Sequence, residues 1–322
     1  MKNSTRLAAA LFAALTLTIL PSAQSDPVAS SDTFGSGANT FTIDFVDIGN
    51  TNNAADTTGY GAVPYEYRMG TYEISQNAID KATASGLTNV TAGAWIGIDP
   101  AANISWYEAA AFVNWLSDST GKQKAYDLTF SNGSWSMALW SNGLAWTAGG
   151  TNLYRHKDAQ YFLPSENEWY KAAYYNPGGA NYFDYPTGSD TAPTAVASGT
   201  SPGTAVFGFN VGDELAPVTS AGGLSPYGTM GQGGNVWEWN ETASDGNNSS
   251  PSEARLFCGS SYANSLSGMA SSFREGDNPT IAEKTIGFRV ASFGVTPIPE
   301  PGTWIVAALL VSGAAFMSWR KR

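Results

Sequence analysis

The chain contains 322 residues, of which 16 are basic and 27 acidic, and its formal net charge is −11. This acidity argues against a nucleic-acid partner, because phosphate contacts require clustered lysine and arginine side chains. The single cysteine and single histidine exclude an internal disulfide, a zinc site built on cysteines and a metal site built on several histidines.

The first predicted element is a secretory signal over residues 1–25. Lys2 and Arg6 precede the apolar run LAAALFAALTLTIL, and the small residues Ala23 and Ser25 stand before a cleavage site at Asp26. A buried helix is the alternative, but the charges, the apolar run and the small residues come in the order of an export signal. The small polar residues 26–40 then predict a flexible lead-in to the folded part.

Two strands and a short helix are predicted next. Phe41 to Asn50 alternates apolar and polar residues, as a half-buried strand does. A second strand-like segment runs from about Tyr65 to Ile74. Ser75 is placed to cap a helix that continues through Ala84 and ends at Gly86.

Two further helices begin at capping boxes, Ser105-x-x-Glu108 and Ser165-x-x-Glu168. After the first box, one apolar stripe is formed by Trp106, Ala109, Ala110, Val113 and Leu116. Trp169, Ala172 and Ala173 begin a second stripe, which ends before Pro177. We interpret Trp106 and Trp169 as core anchors.

The remainder of the middle region predicts one α+β domain over residues 41–293 with little regular secondary structure. Pro186 to Ala205 is rich in Ser, Thr, Pro and Gly, which is typical of a surface insertion. A Ser-His-Asp triad would have to use His156, whose neighbours LYRHKDAQ are typical of a polar loop.

The C-terminus predicts a sorting signal in three parts. Residues 294–302 form a linker with the triplet Pro299-Glu300-Pro301, residues 303–319 form an apolar transmembrane segment, and residues 320–322 form a basic cytoplasmic stop. Seventeen helical residues span ~26 Å, slightly less than a ~30 Å hydrocarbon core. An ordinary tail anchor is the alternative. Without both terminal signals, 11 basic residues face 26 acidic ones.

This tail resembles the PEP-CTERM sorting signal of Gram-negative bacteria that make exopolysaccharide. The resemblance implies that the secretion machinery and an exosortase are partners. It also implies that the protein is held in the inner membrane at least transiently, and then reaches the cell surface or the extracellular matrix.

Several segments, in order, resemble the formylglycine-generating enzyme or sulfatase-modifying factor domain. They are Gly59–Ser75, Asn103–Ser117, Phe162–Tyr175, Ser225–Glu241 with GNVWEW, Arg255–Tyr262 and Ile286–Ser292 with GFRV. The resemblance implies a single domain with a C-type-lectin-like core and structural calcium. In the family, two cysteines shortly before the GFR motif bind copper, and the enzyme oxidises a cysteine of a sulfatase to formylglycine.

This sequence departs from the family at those two cysteines. Residues 262–287 contain none, and Phe273-Arg274-Glu275 stands where the family has a cysteine after an aromatic-Arg pair. Met269 or Ala270 falls near the other cysteine position. Copper and formylglycine-generating activity are therefore not expected, and Cys258 is interpreted as a small buried hydrophobe rather than a reactive thiol. Arg274, Glu275 and Arg289 remain as weak catalytic candidates.

For calcium, the resemblance implies ligands from the carbonyls of Gly234 and Val236 and from the carboxylate of Glu238. Gly231 lacks the side-chain oxygen that relatives supply at that position, although water can replace one calcium ligand. The alternative is that Glu238 orders the turn through hydrogen bonds to neighbouring backbone amides, without metal.

Three functional hypotheses follow. The first is an exported binding or scaffold module associated with exopolysaccharide or envelope proteins. The second is an oxidoreductase or protein-modifying enzyme of the same family with a cysteine-independent mechanism. The third is a structural component of the envelope or biofilm matrix.

Overall fold

The structure, a computed structural model, describes residues 30–91, 93, 95–210 and 215–294. The predicted secretory signal, most of the linker, the apolar segment 303–319 and the basic stop lie outside the described residues. Within the described part, no helix is both long and apolar enough to cross a membrane.

Three α-helices occur in the described part, and each begins where its predicted cap stands. They are α1 (Gln76–Ala84), α2 (Trp106–Ser119) and α3 (Glu166–Tyr174). Ser75 accepts the Ala78 N–H ahead of α1. The capping boxes Ser105/Glu108 and Ser165/Glu168 are both complete. The sequence therefore predicts all three helix starts correctly.

The strands are short, as expected for a chain rich in glycine and turns. In order they are β1 (Ser30–Phe34), β2 (Phe41–Ile48), β3 (Tyr67–Gly70), β4 (Asp127–Ser131), β5 (Ser134–Ala138), β6 (Ala145–Trp146), β7 (Asn152–His156), β8 (Tyr161–Phe162), β9 (Tyr175–Asn176), β10 (Asn181–Tyr182), β11 (Thr194–Ala195), β12 (Thr204–Ala205), β13 (Trp237–Ala243), β14 (Arg255–Cys258), β15 (Glu275–Asp277), β16 (Ile286–Gly287) and β17 (Ala291–Ser292). The predicted first strand is confirmed as β2, and the second is shorter than predicted.

Eight of the described strands form the two-stranded sheets β4-β5, β6-β7, β9-β10 and β11-β12, and the other nine form two main sheets. The larger has the order β1-β2-β3-β17-β8, with neighbouring strands antiparallel. The smaller has the order β15-β14-β13-β16, and β13 pairs with β16 in parallel. Because β16 and β17 are consecutive, the segment with GFRV crosses from one sheet to the other. This crossing brings Arg289 between the sheets.

The lead-in differs from the prediction. Residues 30–34 pair with β2 as an edge strand, and Phe34 is buried against Phe41 and Tyr161. Asp32 also binds the buried Arg68, with 2.5 Å between the Asp32 Oδ2 and the Arg68 Nη2. An edge strand needs only every second side chain to be apolar. The polar composition of residues 30–34 is therefore compatible with a strand, and the prediction of flexibility was wrong for them.

The two helix tryptophans are confirmed as core anchors. Trp106 and Trp169 are fully buried. The Trp106 indole N–H donates to the carbonyl of Asn240, and that of Trp169 donates to the Glu238 carboxylate. The insertion at residues 186–205 is mostly exposed. Three helices, two curled sheets and long irregular connections make the predicted α+β single domain.

Candidate functional site

Strand β13 carries two carboxylates into the interior, Glu238 and Glu241, and both are fully buried. Each reaches a different buried arginine, Arg289 for the first and Arg155 for the second. A buried ion pair is costly to desolvate, so it persists only where the hydrogen bonding is complete. The surroundings of both arginines meet that condition.

Arg289 is held from several directions. Its Nε and Nη2 atoms both lie 2.6 Å from Glu238 oxygens. The remaining N–H groups donate to the carbonyls of Gly70, Thr71 and Met230. These five contacts use all the donors of a guanidinium group. Arg289 therefore ties β13, β3 and the loop before GNVWEW together, and it has no donor left for a ligand.

Arg155 forms the second cluster. It donates to both oxygens of Glu168, at 2.8 and 2.7 Å, and to both oxygens of Glu241. Burial alone would raise the pKa of Glu168, but Arg155 and the helix cap outweigh it and lower the pKa. For Glu241, burial dominates over Arg155, so its pKa is raised.

Glu73 explains the glycine at position 231. The Glu73 carboxylate accepts from the Asn235 side chain at 2.7 Å and from the Val236 N–H at 3.3 Å. A Cβ atom on Gly231 would lie 2.9 Å from the Glu73 Cδ, closer than such atoms approach. Gly231 therefore leaves room for Glu73. Burial, and then the nearby Glu238, raise the pKa of Glu73 well above its usual value.

These contacts do not fit the predicted calcium ion. Both Glu238 oxygens are bonded to Arg289, and one also accepts from Trp169 at 2.7 Å. A cation bound through Glu238 would lie beside a guanidinium charge, which repels it. In this structure hydrogen bonds hold Glu238 and order the turn. The donors, however, are two distant side chains rather than neighbouring backbone amides.

The three weak catalytic candidates have separate surroundings. Arg289 lies in the ion pair described above. Arg274 pairs with Glu166 and lies 4.0 Å from the ring centre of Tyr60. Glu275 is exposed on the edge strand β15. Arg274 and Arg289 are thus engaged in ion pairs, and Glu275 faces solvent.

Cys258 is a buried thiol. It lies at the end of β14 in an aromatic cluster with Trp169, Tyr170 and Tyr174. Burial raises its pKa above the usual range of a thiol. A thiol that resists ionisation is a poor nucleophile and a poor metal ligand.

A surface cleft in the described part has a volume of about 780 Å³. One wall is the segment of Ala270, Ser271 and Ser272, next to Met269, where the resemblance placed a catalytic cysteine. The other walls come from residues 54–58 and 180–190. Among its described lining residues, none is a cysteine, a histidine or a basic residue.

The side chains of this cleft can bind a polar ligand. Asp56, Asp184 and Asp190 supply carboxylates, and Tyr182 and Tyr185 supply aromatic rings. Asp56 is itself held by the Tyr170 hydroxyl, and the Tyr182 hydroxyl donates to the carbonyl of Ala54. Sequence reasoning missed these residues because they lie in two segments, 54–58 and 180–190, that carry no motif.

Comparisons with known proteins agree with this architecture. The family model described as "Sulfatase-modifying factor enzyme 1-like domain" matches residues 36–293. A solved structure of Treponema denticola variable protein 1 is 21% identical, with a TM-score of 0.57, and the match covers 83% of this chain and 100% of that one.

Two other solved structures have the same fold. CarF is 22% identical with a TM-score of 0.54, covering 78% of this chain and 98% of that one. PvdO from Pseudomonas aeruginosa is 16% identical with a TM-score of 0.51, covering 84% and 100%. At these identities the likeness concerns the fold alone. No curated protein sequence matches the chain.

Removal of divalent metal should leave the stability of the domain unchanged, because Arg289 already satisfies Glu238. We expect thermal unfolding with EDTA and with added calcium to agree within about 1 °C. A calcium-dependent protein treated in parallel serves as the control. A fall of several degrees in the melting temperature in EDTA, reversed by calcium, would show that the domain binds calcium.

Glu73→Gln should change how stability depends on pH. A carboxyl group whose pKa is raised in the folded state contributes stability that is present at low pH and lost as the pH rises through that pKa. The free energy of unfolding of the wild type, measured in urea, should therefore fall relative to that of the variant as the pH is raised above the usual range of a glutamate pKa.

The exposed carboxylate of Glu283 offers a matched control for this measurement. Glu283→Gln should leave the pH dependence of the free energy of unfolding as it is in the wild type. Parallel curves for wild type and Glu73→Gln would show that Glu73 has an ordinary pKa in the folded protein.

Proposed function

The chain belongs to the sulfatase-modifying factor enzyme 1-like family, and from that premise we propose that it is an exported binding module without formylglycine-generating activity. Its ligand site is the 780 Å³ cleft. Its partners are exopolysaccharide or other envelope components. The observation that carries the proposal is the wall formed by Ala270, Ser271 and Ser272 in place of a cysteine-bearing wall.

The chemistry of this wall supports loss of the family's reaction. Copper(I) is held by soft sulfur ligands, which Ala270, Ser271 and Ser272 do not supply. Cys258 cannot substitute, because it is buried in the aromatic cluster with a raised pKa. The described lining of the cleft therefore lacks the sulfur atoms that the reaction requires.

The lining of the cleft supports a hydroxyl-rich ligand. Carboxylates can accept hydrogen bonds from sugar hydroxyls, and the Asn181 amide group can donate to them. Tyrosine rings offer flat apolar faces. The strongly acidic chain would repel a polyanion, so a neutral or cationic polysaccharide fits best. The open volume of the cleft suits a segment of a polymer.

A second candidate is an enzyme of the family with a cysteine-independent mechanism. Asp56, Asp184 and Asp190 in one cleft favour it, since carboxylates can transfer protons. Bound copper or iron in the isolated protein, together with oxygen consumption on a thiol peptide, would support this candidate over a binding module.

The export proposal rests on the sequence of both ends. In it, the secretory signal over residues 1–25 directs the chain across the inner membrane. The segment 303–319 then holds it there until an exosortase acts, and the domain reaches the cell surface or the extracellular matrix.

Filling the cleft tests the binding role. Ser272 lines the cleft and is exposed, whereas Ser267 is exposed but outside it. Ser272→Trp should reduce co-sedimentation of the full chain with the host's exopolysaccharide at least about tenfold, as expected when a pocket is blocked. Ser267→Trp should bind like the wild type.

Two further measurements on the wild type test the proposal. The wild type should form no formylglycine on a sulfatase-type cysteine peptide when copper is added, and formation would overturn the proposal. If the wild type binds neither exopolysaccharide nor cell-surface proteins, the binding role fails and the structural-component hypothesis takes its place.

Truncation tests the sorting role. Deletion of residues 297–322 should release the domain into the periplasm or medium, whereas alanines at Pro299, Glu300 and Pro301 should leave it anchored and unprocessed. Cell fractionation and the mass of the mature chain measure both effects. Unchanged surface retention after the deletion would contradict the sorting assignment.

A further inference from the structure

Arg274 lies just behind the 780 Å³ cleft and is not one of its described lining residues. The segment 270–272, which forms one wall of the cleft, ends two residues before this arginine. The Arg274 side chain is 20% exposed, and that of its ion-pair partner Glu166 is 5% exposed. A largely buried cation therefore stands next to a wall of the proposed binding site.

Hydrogen bonds connect Arg274 to this wall. Its Nη1 atom donates to the carbonyl of Ser271 at 2.8 Å and to that of Phe273 at 2.5 Å. Hydrogen bonds from a charged donor are stronger than those from a neutral one. The Ser271 N–H in turn donates to the carbonyl of Asp184 at 3.0 Å, which joins this wall to the wall formed by residues 180–190.

The same guanidinium group is linked to the third wall, residues 54–58, through two tyrosines. It lies 4.0 Å from the ring centre of Tyr60 and 5.1 Å from that of Tyr170. A cation over an aromatic face within about 6 Å is attracted by the ring. The Tyr170 hydroxyl donates to the Asp56 carboxylate, which belongs to that wall. Arg274 is thus connected to all three walls.

Glu166 fixes the arginine in this place. The Arg274 Nε atom pairs with Oε1 of Glu166, the first residue of α3. The Glu166 N–H donates to the Thr242 hydroxyl at 2.8 Å, which ties this end of α3 to β13. Burial raises the pKa of Glu166 to about 6, and Arg274 opposes that rise. The ion pair therefore anchors the arginine to the central part of the domain.

Other contacts hold the ends of the wall 270–272. The Tyr174 hydroxyl donates to the carbonyl of Met269, and the Phe273 ring stacks on Trp237. These contacts fix the segment to α3 and to the smaller main sheet. Neither of them involves residues 54–58, so the spacing between these two walls needs a further contact.

We propose that Arg274 is a positioning residue for the cleft, which sets the spacing between the walls 54–58 and 270–272 without touching the ligand. The proposal rests on the binding role proposed above, because a fixed spacing serves function only if the cleft takes a ligand. A site held ready in its bound shape loses less freedom when the ligand binds. Loss of Arg274 should therefore weaken binding in a domain that stays folded.

Spin labels at Ala55→Cys and Ser272→Cys can measure this spacing, because these exposed positions lie in the two walls. Cys258 stays in place, since its buried thiol should take up no label, and labelling of the otherwise unchanged chain checks this. Electron paramagnetic resonance is recorded at about pH 7.5, where Glu166 is mainly ionised. Arg274→Met should widen the distribution of label distances. Glu166→Gln should widen it as well, because it removes the ionic partner.

The same two substitutions in the unlabelled full chain should weaken co-sedimentation with the host's exopolysaccharide about three- to tenfold. Arg274→Lys keeps the positive charge beside Glu166 and Tyr60 but loses the planar donor group. It should therefore restore part of the binding and part of the narrow distance distribution.

Arg255→Met is the matched control. Arg255 is also buried against aromatic rings, 4.0 Å from the ring centre of Tyr154 and 4.6 Å from that of Trp106. It lies on β14 and is not among the described residues that line the cleft. Arg255→Met should lower thermal stability, as Arg274→Met does, and should leave label distances and exopolysaccharide binding as they are in the wild type.

Unchanged label distances in folded Arg274→Met and Glu166→Gln would overturn the positioning role, and so would an equal widening in Arg255→Met. Widened distances with unchanged exopolysaccharide binding would overturn the claim that the spacing serves the ligand. If the wild type binds no exopolysaccharide while Arg274→Met still widens the distances, the positioning role is supported and only the binding role fails.

Discussion

The ion pair between Arg289 and Glu238 is the contact on which the arrangement of the domain depends. It joins β13 of one sheet to the segment that crosses into the other, and it binds the carbonyls of Gly70 and Met230. Removing one partner of such a buried pair typically costs ~3–5 kcal/mol. The motifs GNVWEW and GFRV thus supply the two partners of one buried ion pair.

This ion pair takes up the hydrogen-bonding groups of both motif residues. Arg289, Glu238 and Glu241 are fully buried. The polar groups that line the cleft therefore come from other segments of the chain. The large cleft takes its walls from three separate segments of the chain.

Local patterns predicted the helices and the signature segments well. Caps at Ser75, Ser105 and Ser165 act within one helical turn, so a single stretch of sequence contains the whole interaction. The edge strand at residues 30–34 was not predicted, because pairing with β2 orders it and its own residues show no strong strand pattern. The cleft carboxylates were missed for a related reason, since only folding brings their loops together.

The sequence by itself determined the family, the three helix starts and the loss of the cysteine pair, because each is a property of residue identity at short range. Tertiary structure alone decided what Glu238 and Gly231 do. Glu238 is bound by an arginine 51 positions away, and Gly231 makes room for Glu73. Such pairings depend on how distant segments meet, and the chain order of the residues does not contain that information.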